Sequence, residues 1–409
     1  MDIQPILSAL RRHKLVTALL ILEIAFTCAI VCNSVFLITH NLQRLNMPSG
    51  IAEHQLLKIR LAYADDRPDD RARAQTDLAA LRQIPGVTQV ALVDKVPFAM
   101  SGNNSDIKLH PDQQQPSLSA GLYFGKNLLP TFGVKLIAGR TFQPDEYMNL
   151  NRALKGLHDN NAQDFPHVAI ITRAMAQRLW PGQNALGKTV YAGKDLSFRV
   201  VGIIARLTRP NSLWRGPAFS WVLPISASLG EGGSYVIRCA SGDRERVLAA
   251  AVAKLKQLDP NRVVMEHRSY DQVRAEFFQG NRAMAGTLVG VCLALLVVTA
   301  LGIVGLASFW VSQRRRQIGV RRALGATRGD IMRYFQIENF LIVGAGIFFG
   351  AVLTYGLNLM LMEHYALPRL PIVFLPIGAL VLWALGQFAV LAPALRAAAV
   401  PPVVATRNV

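Results

Sequence analysis

Four stretches of the chain are apolar almost without interruption, and the sequence between them is mixed. The runs Leu15 to Thr39, about Met284 to Val311, Phe340 to Met362 and Ile372 to Leu395 each reach the roughly 20 residues that cross hydrocarbon at about 1.5 Å rise per residue. They predict four transmembrane helices. Arg11, Arg12, His13 and Lys14 precede the first run and place residues 1–14 on the cytoplasmic side, because Lys and Arg accumulate there. A cleaved signal peptide fits less well. Its apolar core would be roughly 7–15 residues, followed by a small-x-small site, and Ile38-Thr39-His40-Asn41 offers no such site. Alternating sides from this start predicts residues 40–283 outside, 312–339 in the cytoplasm, 363–371 as a short outer turn and 396–409 as a cytoplasmic tail.

Within the outer segment the period changes. Leu56 to Tyr63 alternates like a strand, Asp70 to Ile84 has helical spacing, and Val87 to Val96 alternates again after the Pro85-Gly86 break. The same order recurs in Ser234 to Cys239, Asp243 to Leu258 and Arg262 to His267. Two strand–helix–strand repeats, about 55–97 and 233–270, thus flank a Gly-, Asn-, Pro- and Gln-rich piece of about 98–225. That piece carries β-like runs at Val134–Ile137, Val168–Ile171, Thr189–Ala192 and Phe198–Ile204. The expected architecture is an α-helical four-span bundle with a large α+β outer domain, two βαβ-like repeats around an inserted β-rich lobe.

The net charge of +18 would ordinarily raise nucleic acid as a partner. Four spans and an outward location for most of the chain argue against it. The outer segment holds 31 Lys/Arg against 21 Asp/Glu, a balance of +10 that favours anionic lipid, polymer or an acidic partner, or is simply a solvated basic surface. Cysteine decides little. Cys28, Cys32 and Cys292 fall in spans, so Cys239 has no partner for a disulfide in the outer domain. Gly182 to Thr189 matches G-x-x-x-x-G-K-[ST], but a phosphate loop runs from strand to helix. Here Arg173 to Trp180 has helical spacing before it and a strand follows, so a helix-to-strand turn is expected instead. His54, His110, His158, His167 and His267 are scattered, Ser101, Ser105 and Ser119 lack a nucleophile elbow, and no residues have metal-ligand spacing. No catalytic, cofactor or metal site is expected.

The most informative stretch is Ser312 to Phe340, with seven arginines and two acidic residues between two apolar runs. Thr327 stands three residues before Asp330, a capping-box variant. Two short helices meeting at Gly325 are therefore expected. Ile318, Leu324 and Ile331 are candidates to enter a partner's groove, Arg321 and Arg322 to meet its acidic rim, and Arg314 to Arg316 to sit at lipid headgroups. Gly319 and Gly325 would permit close approach or a bend. Glu338 could meet a loop arginine. Within the spans, Glu23 is an ionisable group that either gates or bonds Asn358 or Gln387. Gly286 with Gly290, and Gly346 with Gly350, are G-x-x-x-G candidates for a dimer seam.

The loop R-R-R-Q-I-G-V-R-R-A-L-G-A-T-R-G-D-I, between one span and two more behind a large outer domain, resembles the FtsX-like permeases, the membrane subunits of MacB-type ABC transporters. Tyr123 to Phe142, Val168 to Thr189 (with Trp180-Pro181-Gly182 to Lys188), and the tail segments Pro393 to Arg396 and Pro402 to Thr406 resemble the same family, although Val403-Val404 stands where an acidic pair is more usual. The resemblance implies a permease subunit of the bacterial inner membrane that works by mechanotransmission. It implies Gln317, Ile318, Gly319, Arg321, Arg322, Leu324, Gly325 and Thr327 as the residues that engage an ATPase dimer. It implies a second permease subunit, identical or paralogous, and an adaptor with an outer-membrane duct as further partners. ATP and Mg would be bound by the ATPase. In MacB the ATPase shares the chain. The residues before Leu15 leave no room for one, so a separate protein is expected. Export or extraction of a substrate is the implied function, and a signalling scaffold for a cell-wall hydrolase or sensor kinase is the alternative.

Overall fold

The computed structural model describes residues 14–62, 70–158, 165–193, 196–211, 216–365 and 369–400. The tail segment from Pro402 that entered the family resemblance lies outside them. The chain divides into two compact units, Met1–Asn46 with Gly280–Val409, and Met47–Gln279.

The first unit contains four helices long and apolar enough to cross a membrane: Lys14–Leu45, Gln279–Gln313, Arg328–His364 and Phe374–Ala398. The third extends well beyond the apolar run that announced it. Nothing between Thr327 and Phe340 breaks a helix, and Ile331, Phe335, Ile342 and Val343 repeat at helical spacing and are buried. The segment after Gly325 is therefore the opening of the third membrane helix, not a second short helix. Half of the most apolar window of the first helix is buried against 17% for the second, so the first helix is the centre of the bundle.

Small residues make that centre possible. A Cβ on Gly346 would stand 2.5 Å from Ile24 Cγ2, one on Gly350 2.5 Å from Cys28 Cβ, and one on Gly386 2.8 Å from Val343. Gly346 and Gly350, expected as dimer-seam candidates, are thus taken by the first helix of the same chain. Gly286 and Gly290 face open space among the described residues. Polar pairs cross the same contacts. Thr27 and Thr299 hydroxyls are 2.9 Å apart, and Asn33 Nδ2 donates to Thr354 O at 3.2 Å. Glu23 meets neither Asn358 nor Gln387. Asn358 accepts from Leu370 N, and Gln387 donates to Gln336 O. The Glu23 carboxylate instead lies against Gly302, and its Oε1 has no hydrogen-bond partner among the described residues.

The second unit holds two sheets. In the first, β1 (Leu56–Ala62) is antiparallel to both β12 (Ser234–Cys239) and β13 (Val263–Ser269), and β12 is antiparallel to β2 (Val87–Val93), giving the order β13-β1-β12-β2. The helix Asp70–Arg82 joins β1 to β2, and Arg244–Leu258 joins β12 to β13. The two sequence repeats therefore interleave in one split β-α-β sheet. Leu57, Ile59, Leu81, Ile237, Val247 and Leu255 form its core. Inside it, Asp77 accepts from Arg262 at 2.6 Å and from the Tyr235 hydroxyl at 2.7 Å, so this buried charge is paired and hydrogen-bonded on both oxygens.

The inserted lobe is a seven-stranded sheet ordered β5-β9-β7-β10-β4-β3-β8. Its strands are β3 (Asn104–Lys108), β4 (Leu118–Phe124), β5 (Leu136–Gly139), β7 (Val168–Thr172), β8 (Thr189–Ala192), β9 (Leu196–Ile204) and β10 (Ser220–Leu223). The short β6 (Met148–Asn149) and β11 (Ile225–Ser226) pair separately. Phe198 and Trp221 meet edge-on at 4.8 Å in the core. Gly182 to Thr189 is a turn from the helix Arg173–Leu179 into β8, with φ of 70° at Gly182 and 80° at Gly187. Both angles suit glycine and turn the backbone without forming a phosphate cradle. The two sheets join where Asp94 N donates to Phe124 O at 3.1 Å and Phe124 N donates to Asp94 Oδ1 at 3.0 Å.

Candidate functional site

The basic connector between the second and third membrane helices is one nine-residue helix, Arg315–Ala323, with a defined stop at each end. Arg314, at φ −101° and ψ 10°, breaks the ladder after Gln313. At the other end Gly325 adopts φ 99°. Gly325 N donates to Arg322 O at 3.2 Å and Ala326 N to Arg321 O at 3.0 Å, the paired bonds of a Schellman stop. Thr327 then opens the third membrane helix. Asp330 N donates to Thr327 Oγ1 at 3.2 Å while Thr327 N donates to Asp330 Oδ2 at 3.0 Å. These reciprocal bonds satisfy two backbone donors that a bare helix start leaves open.

The helix has two faces. Ile318 and Gly319 are buried, and Ile318 belongs to one cluster with Ile331, Phe335, Ala394 and Ala397. On the opposite side Gln317, Val320, Arg321 and Leu324 are exposed, Leu324 at 82%. Ile318 and Ile331, expected to enter a partner's groove, are packed inside this chain: helical spacing turns Ile318 away from Val320, and Ile331, on the third helix, packs in the same buried cluster. Gly319 likewise serves internal packing. The exposed apolar pair is Val320 with Leu324, one turn apart. Val320 was not singled out from the sequence, although its spacing of three and four from Gln317 and Leu324 carries the signal.

The arginines also divide. Arg314 Nη1 donates to Glu338 Oε1 at 3.1 Å and Oε2 at 3.2 Å, reaches the Tyr334 hydroxyl at 3.3 Å, and its guanidinium lies 5.5 Å from the Trp310 ring centre. It is a partly buried tie between the second and third helices rather than a headgroup contact, and it is the partner that Glu338 needs. Arg322 Nη1 donates to Ala398 O at the end of the fourth helix at 2.5 Å. That bond turns it inward, away from a partner's rim. Arg321 stacks over Tyr334 at 5.1 Å and stays exposed. Arg315 and Arg316 are exposed. The face presented outward is therefore two aliphatic side chains bordered by arginines, and the face turned inward is tied to three membrane helices.

Glu23, Gly286 and Gly290 lie apart from this site, along the bundle. In the other unit, burial pushes the Asp94 carboxyl up to about 7, against the opposing pull of the Phe124 N–H and the Lys95 charge.

Comparison with known proteins covers both units. The model of the MacB-like periplasmic core domain matches residues 17–255, and that of the FtsX-like permease C-terminal region matches residues 289–402. The macrolide export ATP-binding/permease protein MacB of Chromobacterium violaceum is 24% identical over 57% of this chain and 34% of its own length. The uncharacterized ABC transporter permease YvrN of Bacillus subtilis is 24% identical over 61% of this chain and 64% of its own. The chain thus spans from about one third to about two thirds of the length of the curated relatives it matches. Among solved structures, the extracellular domain of the noncanonic ABC-type transporter YknZ from Gram-positive bacteria covers 52% of this chain and 100% of its own, at 16% identity and a TM-score of 0.32. With a family model matching more than half of its residues and a second matching the three later spans, this chain belongs to the FtsX-like ABC transporter permeases that carry a MacB-like periplasmic core domain.

Proposed function

We infer that this permease couples ATP hydrolysis in a separate cytoplasmic ATPase to movement of its periplasmic domain, and that the work exports or extracts a substrate from the periplasm or the outer leaflet. The observation that carries this reading is the two-faced helix Arg315–Ala323. Its outward face offers Val320 and Leu324 to an apolar groove, with Arg316 and Arg321 beside them to fix orientation against acidic residues. Its inward face is fastened to the second, third and fourth helices through Arg314, Ile318 and Arg322. A push on the outward face is therefore received by the whole cytoplasmic end of the bundle. The relatives named for macrolide export support export as the outcome.

In this reading ATP and Mg belong to the ATPase dimer and the chain itself catalyses nothing. Two permease copies, identical or paralogous, face each other in the inner membrane, and a periplasmic adaptor with an outer-membrane duct completes the route. The test is a reconstituted complex in lipid nanodiscs. Val320→Asp with Leu324→Asp is expected to abolish co-purification of the ATPase, and Arg321→Glu to weaken it, while the permease still folds. Arg322→Glu is expected to damage the permease itself, because its partner is Ala398. Full ATPase binding and substrate-stimulated hydrolysis with both aspartates in place would overturn the reading.

A further inference from the structure

Beside the junction of the two sheets lies a cavity of about 190 Å³, within the Met47–Gln279 unit. Its lining is sharply divided. One wall is apolar: Phe98, Met100 and Phe277 line it together with Val96, Ala99 and Val273. The Phe98 and Phe277 rings meet tilted by 38° at 5.6 Å, and Met100 is 76% exposed. The other wall is charged, and most of its charges are already used. Lys58 bonds Glu266 at 2.8 Å, Arg268 reaches Glu266 at 3.0 Å, and Arg268 also pairs with Glu276.

Two cations in the lining are left over. Arg60 and Lys95 form no ion pair among the described residues. Asp94 is 6% exposed, and while its Oδ1 accepts from Phe124 N, its Oδ2 is buried with no hydrogen-bond partner among the described residues. A buried carboxyl oxygen without a partner is costly, and buried polar groups are almost always satisfied. With almost no accessible surface of its own, Oδ2 closes the wall of the cavity and does not reach a bound molecule. The unpaired cations would hold an anion, and the aromatic wall would cover an apolar chain or ring.

We propose that this cavity binds a small amphiphile with an anionic head, the head held by Arg60 and Lys95 and the apolar body by Phe98, Met100 and Phe277. An N-acyl amino acid or peptide carboxylate and a lipid-like phosphate share this chemistry. The site stands independently of whether the permease moves a substrate or only signals. Its failure would leave the ATPase-docking face untouched, and the reverse also holds.

The test uses the full chain in lipid nanodiscs, with empty nanodiscs subtracted. Isothermal titration is run with N-octanoylglycine, octyl phosphate and the neutral N-octanoylglycinamide. N-octanoylglycine is expected to bind saturably, at least tenfold more tightly than the neutral amide, and a tighter octyl phosphate would identify a phosphate source instead. Arg60→Glu and Met100→Glu, both at exposed positions, are each expected to weaken the anionic probe at least tenfold without loss of folded protein. Equal binding of the neutral probe, or binding unchanged by both Arg60→Glu and Met100→Glu, would overturn the proposal.

Discussion

Two regions of the membrane unit carry the same Gly-x-x-x-Gly spacing and use it in opposite ways. On the third helix, Gly346 and Gly350 leave no room for a side chain, because Ile24 and Cys28 of the first helix fill the space above them. On the second helix, Gly286 and Gly290 have nothing within 4 Å among the described residues. The spacing permits close approach but does not say to what. What decides is the neighbour. The first helix is central and small residues cluster toward it, whereas the second helix keeps most of its apolar surface outward and is fastened at particular points.

The contrast breaks most decisively at Gly346. Gly346→Leu would drive its first carbon into Ile24, and loss of a folded, monodisperse protein is expected on size-exclusion chromatography in detergent. Gly290→Leu is expected to leave yield and melting unchanged. Equal damage from the two would erase the distinction. Next in size is the fastening of the second helix. Glu338→Ala leaves the partly buried Arg314 without its carboxylate, and a loss of about 3 kcal/mol, the low end for a buried pair, is expected by chemical unfolding, with Glu338→Gln recovering part of it.

Acidity separates the bundle from the domain. The Asp94 carboxyl is raised from an ordinary 3.8 to about 7 by burial, so the folded domain holds a proton that the unfolded chain releases. That contribution to stability is complete below the unfolded value and is lost as pH rises through the folded one. A decline on the order of 2–3 kcal/mol is expected between roughly pH 5 and pH 8, and Asp94→Asn should flatten it. The smallest effect is expected at Thr299→Val, which removes the hydroxyl pair with Thr27. About 0.6 kcal/mol is the expected loss, measurable only as a shift between matched unfolding curves.

Much of the architecture is legible in the chain because it rests on local periods. The four apolar runs, the paired strand–helix–strand repeats and the reversed order around Gly182–Thr189 all follow from spacing alone. The parts that were not legible depend on which face meets which neighbour. β3 and β4 are hidden because Asn104, Ser105, Asp106, Ser119, Ala120 and Gly121 carry little apolar signal, and β10 because Ser220–Leu223 is too short to show a period. A Cβ on Gly121 would stand only 2.4 Å from Arg209 Cβ, a long-range contact invisible in local sequence. In the connector, the helix stop at Gly325 and the Thr327–Asp330 box are written in adjacent residues. Ile318 and Val320 are two residues apart, similar in chemistry and opposite in fate. Only the packing of Phe335, Ala394 and Ala397 decides between them. Arg314 and Glu338 stand 24 positions apart, a distance at which pattern reading finds candidates but not partners.

The interleaved sheet has one mechanical consequence. Leu57 near the start of β1 and Ser269 at the end of β13 share a rung, so both strands through which the chain enters and leaves this sheet are hooked to the same place. Tugging those two leads in opposite directions would tear the ladder like a zipper, one hydrogen bond after another. Moving them together would swing the sheet as an unbroken plate, like a pail carried by both ends of its handle.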